Sequence, residues 1–140
     1  MLLRYKSVTY TSLAALDMDE GKLLEIHQTA KDLNGLEGIT GLLVFNGTHF
    51  LQIIEGNPLA IDDLVERLRR DERHSGLEIR DERMTDQRMF ERWAMALVRV
   101  KGRELRAATD LVDALPDTLP PEIKTRVARM AEEALSSVEL

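Results

Sequence analysis

The sequence predicts an α+β domain in which two helices cover one face of a single mixed five-stranded sheet and a helical hairpin covers the other. Three observations predict it. Several stretches are continuously apolar or alternate with polar residues between turn signals. Others repeat their apolar residues at three- and four-residue steps. The two kinds follow the order β-α-β-β-α-β-β until about residue 100, after which the chain reads as helical.

Leu3 to Tyr10 is rich in aromatic and β-branched residues and ends at the polar Thr11-Ser12, the pattern of a strand. From Asp19 the period changes: Leu23, Ile26, Ala30 and Leu33 form a helical stripe, with Asn34-Gly35 as its stop signal. Ile39 to Phe45 and Thr48 to Glu55 then flank Asn46-Gly47, which predicts a hairpin closed by a two-residue type I′ turn. Asn57 and Pro58 are a cap and a first-turn proline for a second helix, whose stripe is Ile61, Leu64, Val65 and Leu68 and which stops before Ser75-Gly76. Leu77 to Met84 and Ala94 to Val100 complete the strands.

Right-handed crossovers put both helices of such a chain on one face, giving a ferredoxin-like sandwich with one added strand. Leu105, Ala108, Val112 and Leu115 make a further stripe, Pro116 to Pro121 interrupts it, and Ile123, Val127, Met130 and Ala134 make another. Strands such as Phe50-Leu51-Gln52-Ile53-Ile54 are apolar on both sides and need cover on both, so the hairpin is expected on the free face. Two regions follow: a sheet domain over 1–100 and a helical extension over 101–140.

The 140 residues suffice for one core, not two domains. With no Cys there is no disulfide, thiolate metal site or cysteine nucleophile. A net charge of -6 argues against a nucleic-acid partner, which would need a basic face. No purely apolar run, Leu42-Leu43-Val44-Phe45 included, comes near the roughly 18 residues of a membrane helix. Arg4 and Lys6 interrupt the opening Met1-Leu2-Leu3, unlike a secretion signal, so the expected compartment is the cytoplasm.

Much chemistry lacks sequence support. His27, His49 and His74 show no metal-ligand spacing, and Gly35, Gly38 and Gly41 precede a strand rather than open a helix. No carboxylate pair stands out from the acidic helix faces. Hydrolase chemistry therefore has no support in the sequence.

What does stand out is Gln52, a polar residue sharing a strand face with Phe50 and Ile54. Its ordinary role is a hydrogen-bonded core amide, yet an amide is donor and acceptor at once and can relay between two polar groups. Tyr10, ending the first strand, is the obvious kind of partner, although a satisfied core phenol would look the same. Asn34 reads equally as a helix cap. Arg69, Arg70, Arg73 and His74 gather positive charge near the end of the second helix, where the dipole favours cations and where a phosphate could bind. Trp93 and Met95 share a face of the last strand.

These separate features coincide with one family. The run Ile39-Thr40-Gly41-Leu42-Leu43-Val44-Phe45-Asn46-Gly47-Thr48-His49-Phe50-Leu51-Gln52-Ile53-Ile54-Glu55-Gly56 closely resembles the signature of the BLUF domain, the sensor of blue light using FAD. The resemblance continues at Thr9-Tyr10-Thr11-Ser12, Leu33-Asn34, Asp71-Glu72-Arg73-His74 and Arg88-Met89-Phe90-Glu91-Arg92-Trp93-Ala94-Met95, covering about residues 1–100. It implies that Tyr10 donates an electron to an excited flavin and that Gln52 switches its hydrogen bonds between the phenol and the ring. It further implies that Asn34 binds the pyrimidine edge, that Ile26 and Leu68 sandwich the ring, and that Arg73 and His74 lie near the ribityl and phosphate end. Trp93 and Met95 match the pair tied to signal output. Leu33 departs from members with a polar residue there.

The cofactor implied is FAD, with FMN and riboflavin sharing its ring. The partners expected are the flavin, a separate downstream protein and a second copy of the chain, with neither nucleic acid nor membrane. The expected signalling element is the last strand, through Trp93 and Met95, together with the hairpin Arg103 to Leu135. Two other readings share the topology: a binding module without photochemistry, and an enzyme of acylphosphatase type. The latter wants an Arg after the first strand, where Thr11-Ser12-Leu13-Ala14-Ala15 has none.

Overall fold

A computed structural model describes residues 4–90, 95–99 and 120–136. Its elements are β1 (Tyr5–Ala14), α1 (Glu20–Glu37), β2 (Thr40–Phe45), β3 (His49–Gly56), α2 (Pro58–Arg69), β4 (His74–Thr85), β5 (Ala96–Arg99) and α3 (Pro121–Ser136). The first helix expected for the C-terminal hairpin, and Trp93, lie outside the described residues.

The strands lie in the order β4-β1-β3-β2-β5. The first four pair antiparallel, while β5 runs parallel to β2 at the edge. This is the consequence of two β-α-β crossovers around a β2-β3 hairpin: each crossover leaves room for one strand between the strands it joins. The helices start where the sequence caps them. The Asp19 side chain accepts from the Lys22 N–H at 2.8 Å, and Asn57 accepts from the Leu59 N–H at 2.9 Å with Pro58 opening the first turn.

Four local expectations need correction. Helix α1 does not stop at Asn34-Gly35; it runs to Glu37 and ends on Gly38, whose φ of 70° supplies the left-handed cap. The hairpin turn is not type I′, since that turn needs positive φ at both central residues and only Gly47 has it. Instead the Asn46 side chain accepts from the Thr48 and His49 N–H groups and holds a wider loop. Strand β1 extends beyond Tyr10 to Ala14, because β3 and β4 both continue to offer it partners. Strand β4 begins at His74 rather than Leu77, so Ser75-Gly76 lies within it, beside an irregularity in its pairing with β1.

Val8, Leu43, Phe50 and Ile54 on one face of the sheet pack with Leu23 of α1 and with Ile61 and Leu64 of α2 into a single core. Leu42, Val44, Leu51 and Ile53 on the opposite face are equally buried. Ile123 of α3 is buried too, and its neighbour Glu122 raises the Arg83 guanidinium on β4 further above its ordinary range, behind the larger effect of the Arg83–Asp81 ion pair. No described helix is long and apolar enough to cross a membrane.

Candidate functional site

The site lies where β1 and β3 pair beneath the two helices. Tyr10 and Gln52 are direct cross-strand partners, so their side chains leave the sheet on the same face at adjacent points. Both are almost completely buried. The Tyr10 hydroxyl donates to Gln52 Oε1, and Gln52 Nε2 donates to the Met95 sulfur at 3.3 Å. These bonds fix the amide's orientation, because a thioether can only accept. Burial, and next the negative charge of Asp71, push the Tyr10 phenol far above its ordinary range. The hydroxyl therefore keeps its proton throughout the physiological range.

Above this pair opens a cleft of about 790 Å³, including its mouth. Its apolar sides come from Ile26, Ala30 and Leu33 of α1 and from Leu64 and Leu68 of α2, with Leu43 and Phe50 of the sheet. The polar groups are few and local: Tyr10, Gln52, Asn34, and a set that includes Arg67, Asp71, Arg73 and His74. Asn34 is 1% exposed, and its Nδ2 has no hydrogen-bond partner among the described residues. A buried donor left so costs about 1–3 kcal/mol, which a ligand acceptor would recover.

Arg73 is held for its position by a fork on Asp71, with Nε at 2.9 Å from Oδ1 and Nη2 at 2.6 Å from Oδ2. That bond is the main reason the Asp71 carboxyl sits below its ordinary range. The His74 ring donates to the Leu68 carbonyl at 2.7 Å and stands 6.2 Å from the Tyr10 ring. The α2 end and the first residue of β4 are thus tied together at the cleft.

The structure gathers Tyr10, Ile26, Asn34, Gln52, Leu68, Arg73 and His74 around this one cleft and sets Met95 against Gln52. Arg69 and Arg70 do not line it; Arg67 does, one turn earlier on α2. Arg67, Asp71, Thr29 and Leu64 escaped the sequence reading as individual contributors. The helical period carries a signal for Leu64 alone, since nothing local shows which polar residues of α1, α2 and the loop after α2 turn inwards.

The cleft fits a flat heteroaromatic ring. Aliphatic side chains from two helices can take its faces, and the free Asn34 amide can meet a carbonyl acceptor at its edge. The family model described as sensors of blue light using FAD matches residues 5–96. Among solved structures, a protein titled BlrB, a BLUF protein in its dark state, is 30% identical, covers 96% of this chain and 100% of its own, and has a TM-score of 0.73. Klebsiella pneumoniae BlrP1 with FMN and cyclic diGMP is 23% identical with a TM-score of 0.78, covering 92% of this chain and 35% of that one. BlsA in its photo-activated state is 24% identical with a TM-score of 0.70 and covers 94% of both chains. The last two likenesses speak to the fold. No curated protein sequence is matched.

Proposed function

The chain belongs to the family of sensors of blue light using FAD, and from that membership we propose that it is a blue-light receptor whose switch is the Tyr10–Gln52–Met95 chain. The observation that carries the proposal is the buried run of donor and acceptor from the Tyr10 hydroxyl through the Gln52 amide to the Met95 sulfur, at the base of an apolar cleft.

A bound flavin supplies the blue-light absorption and, once excited, an acceptor for one electron. Tyr10 is the donor. Its neutral phenol becomes strongly acidic on losing an electron, and Gln52 Oε1 already accepts its proton-bearing hydroxyl. Return of the electron and proton restores the phenol and leaves Gln52 free to settle in a second hydrogen-bonding arrangement. No substrate is consumed, so the reading is of a sensor and not an enzyme.

Asn34 would hold the polar edge of the ring and Ile26 and Leu68 its two faces. Arg73 and His74 would lie towards the ribityl and phosphate end, a part that FAD and FMN share. Output would leave through Met95 and β5 to a partner protein.

The test is the absorption spectrum of the purified or FAD-reconstituted protein, taken in darkness, directly after blue light and through recovery. A reversible red shift of the flavin band is expected. A flavin band that does not move, or a protein that takes up no flavin, would overturn the proposal.

A further inference from the structure

We infer that His27 is a positioning residue for the Gln52 switch, clamping the backbone carbonyl of Met95 so that the methionine sulfur stays on the glutamine amide. The inference rests on the blue-light reading of the cleft and assigns a role to a residue outside its lining.

His27 lies on α1, immediately after the cleft residue Ile26, and its Nε2 is 2.7 Å from the Met95 carbonyl oxygen. A carbonyl only accepts, so Nε2 carries the proton and the imidazole donates. Met95 is buried in the core, and this bond adds a polar anchor to its backbone. The ladder between β2 and the short edge strand β5 begins with Leu42 opposite Ala96, one residue beyond it. Its side chain is flexible, and a thioether is a weak acceptor, so the 3.3 Å bond from Gln52 cannot by itself fix the chain. The histidine supplies the fixed point from α1.

The consequence falls on the amide. With the sulfur in place, Gln52 has its N–H on Met95 and its oxygen on Tyr10. Turning the amide over would set its oxygen against the sulfur, two acceptors facing each other. Met95 therefore biases Gln52 towards one arrangement, and His27 keeps that bias in force. Helix, edge strand and switch residue become one mechanical unit linking α1 to β5.

The decisive experiment combines two measurements on the flavin-loaded full chain. Long-range proton–nitrogen correlation spectra of the unaltered protein report which His27 nitrogen bears hydrogen; protonated Nε2 is expected, and a bare Nε2 would overturn the inference. Recovery after blue light is then timed in His27→Leu and His27→Gln, with the melting temperature recorded for each. Loss of one donor should change the recovery rate of H27L by about fivefold, the kinetic equivalent of one hydrogen bond. H27Q, which can still donate to the carbonyl, should return it to within roughly twofold of the parent. An unaltered rate in H27L, or no rescue in a folded H27Q, would overturn the clamp. A parent protein with no red shift at all would instead sink the blue-light reading, whatever the His27 spectra show.

Discussion

Tyr10 and Gln52 stand directly opposite each other across the β1–β3 ladder, and the phenol donates to the amide oxygen in a site almost closed to water. Neither partner can be removed without leaving the other buried and partly unpaired. Tyr10→Phe should therefore lower stability by about 1–3 kcal/mol, read as the denaturation midpoint. It should also abolish the red shift while the flavin band itself remains. A Tyr10→Phe protein with the parent's shift would show that the hydroxyl has no part in the switch.

Asn34 gives a sharper separation of binding from folding. Its Nδ2 is buried without a partner among the described residues, so the free protein bears a cost that a ligand acceptor removes. Asn34→Leu, of similar shape, should raise the melting temperature of the flavin-free protein. The same change should weaken flavin affinity by roughly tenfold, the loss expected for one hydrogen bond of good geometry. Isothermal titration beside thermal melts checks both. Equal affinity would mean that Asn34 is not aimed at the ligand.

Much of this site is legible in the sequence because Gln52 breaks an apolar strand face, and period two then fixes which residues share its side. The β2–β3 hairpin is legible for the same reason, its strands being expected within one residue of Thr40–Phe45 and His49–Gly56. Asn34-Gly35 misleads because a helix interior and a helix end use the same two letters; the distinction is that Asn34 turns into a cleft lined by residues far along the chain. His27 looks like a stray helical histidine, since its carbonyl partner is 68 positions away. Ser75-Gly76 carries the letters of a turn but lies in a strand whose ladder with β1 outweighs local preference.

The acid side of the stability curve should report on Asp71. Its carboxyl is held below the ordinary range, chiefly by the Arg73 bond, so the unfolded state takes up protons first as pH falls. The stabilisation is complete above the unfolded value, near 4, and fades as pH drops through the lowered folded value. Asp71→Asn should flatten the denaturation midpoint over that window relative to the parent and leave the slope near neutrality alone. Matching acid slopes in both proteins would remove Asp71 from the account.

Glu55 fastens the segment that leads towards Met95. Fully buried at the end of β3, its carboxyl oxygens accept from the Met89 N–H at 2.9 Å and the Phe90 N–H at 2.5 Å, and from the Thr40 hydroxyl at 3.2 Å. Arg88 adds a bond to the Thr40 hydroxyl at 3.0 Å and lies over the Tyr5 ring. Glu55→Ala would strand two backbone donors and open a void, at a cost of roughly 3 kcal/mol. Glu55→Gln keeps one acceptor oxygen and should cost less. Hydrogen exchange distinguishes this fastening from general loosening: the amides of Met89 and Phe90 should gain the most exchange in Glu55→Ala, and those of the β1–β3 ladder the least. A uniform increase would mean that Glu55 supports the whole sheet rather than the passage from β4 to β5.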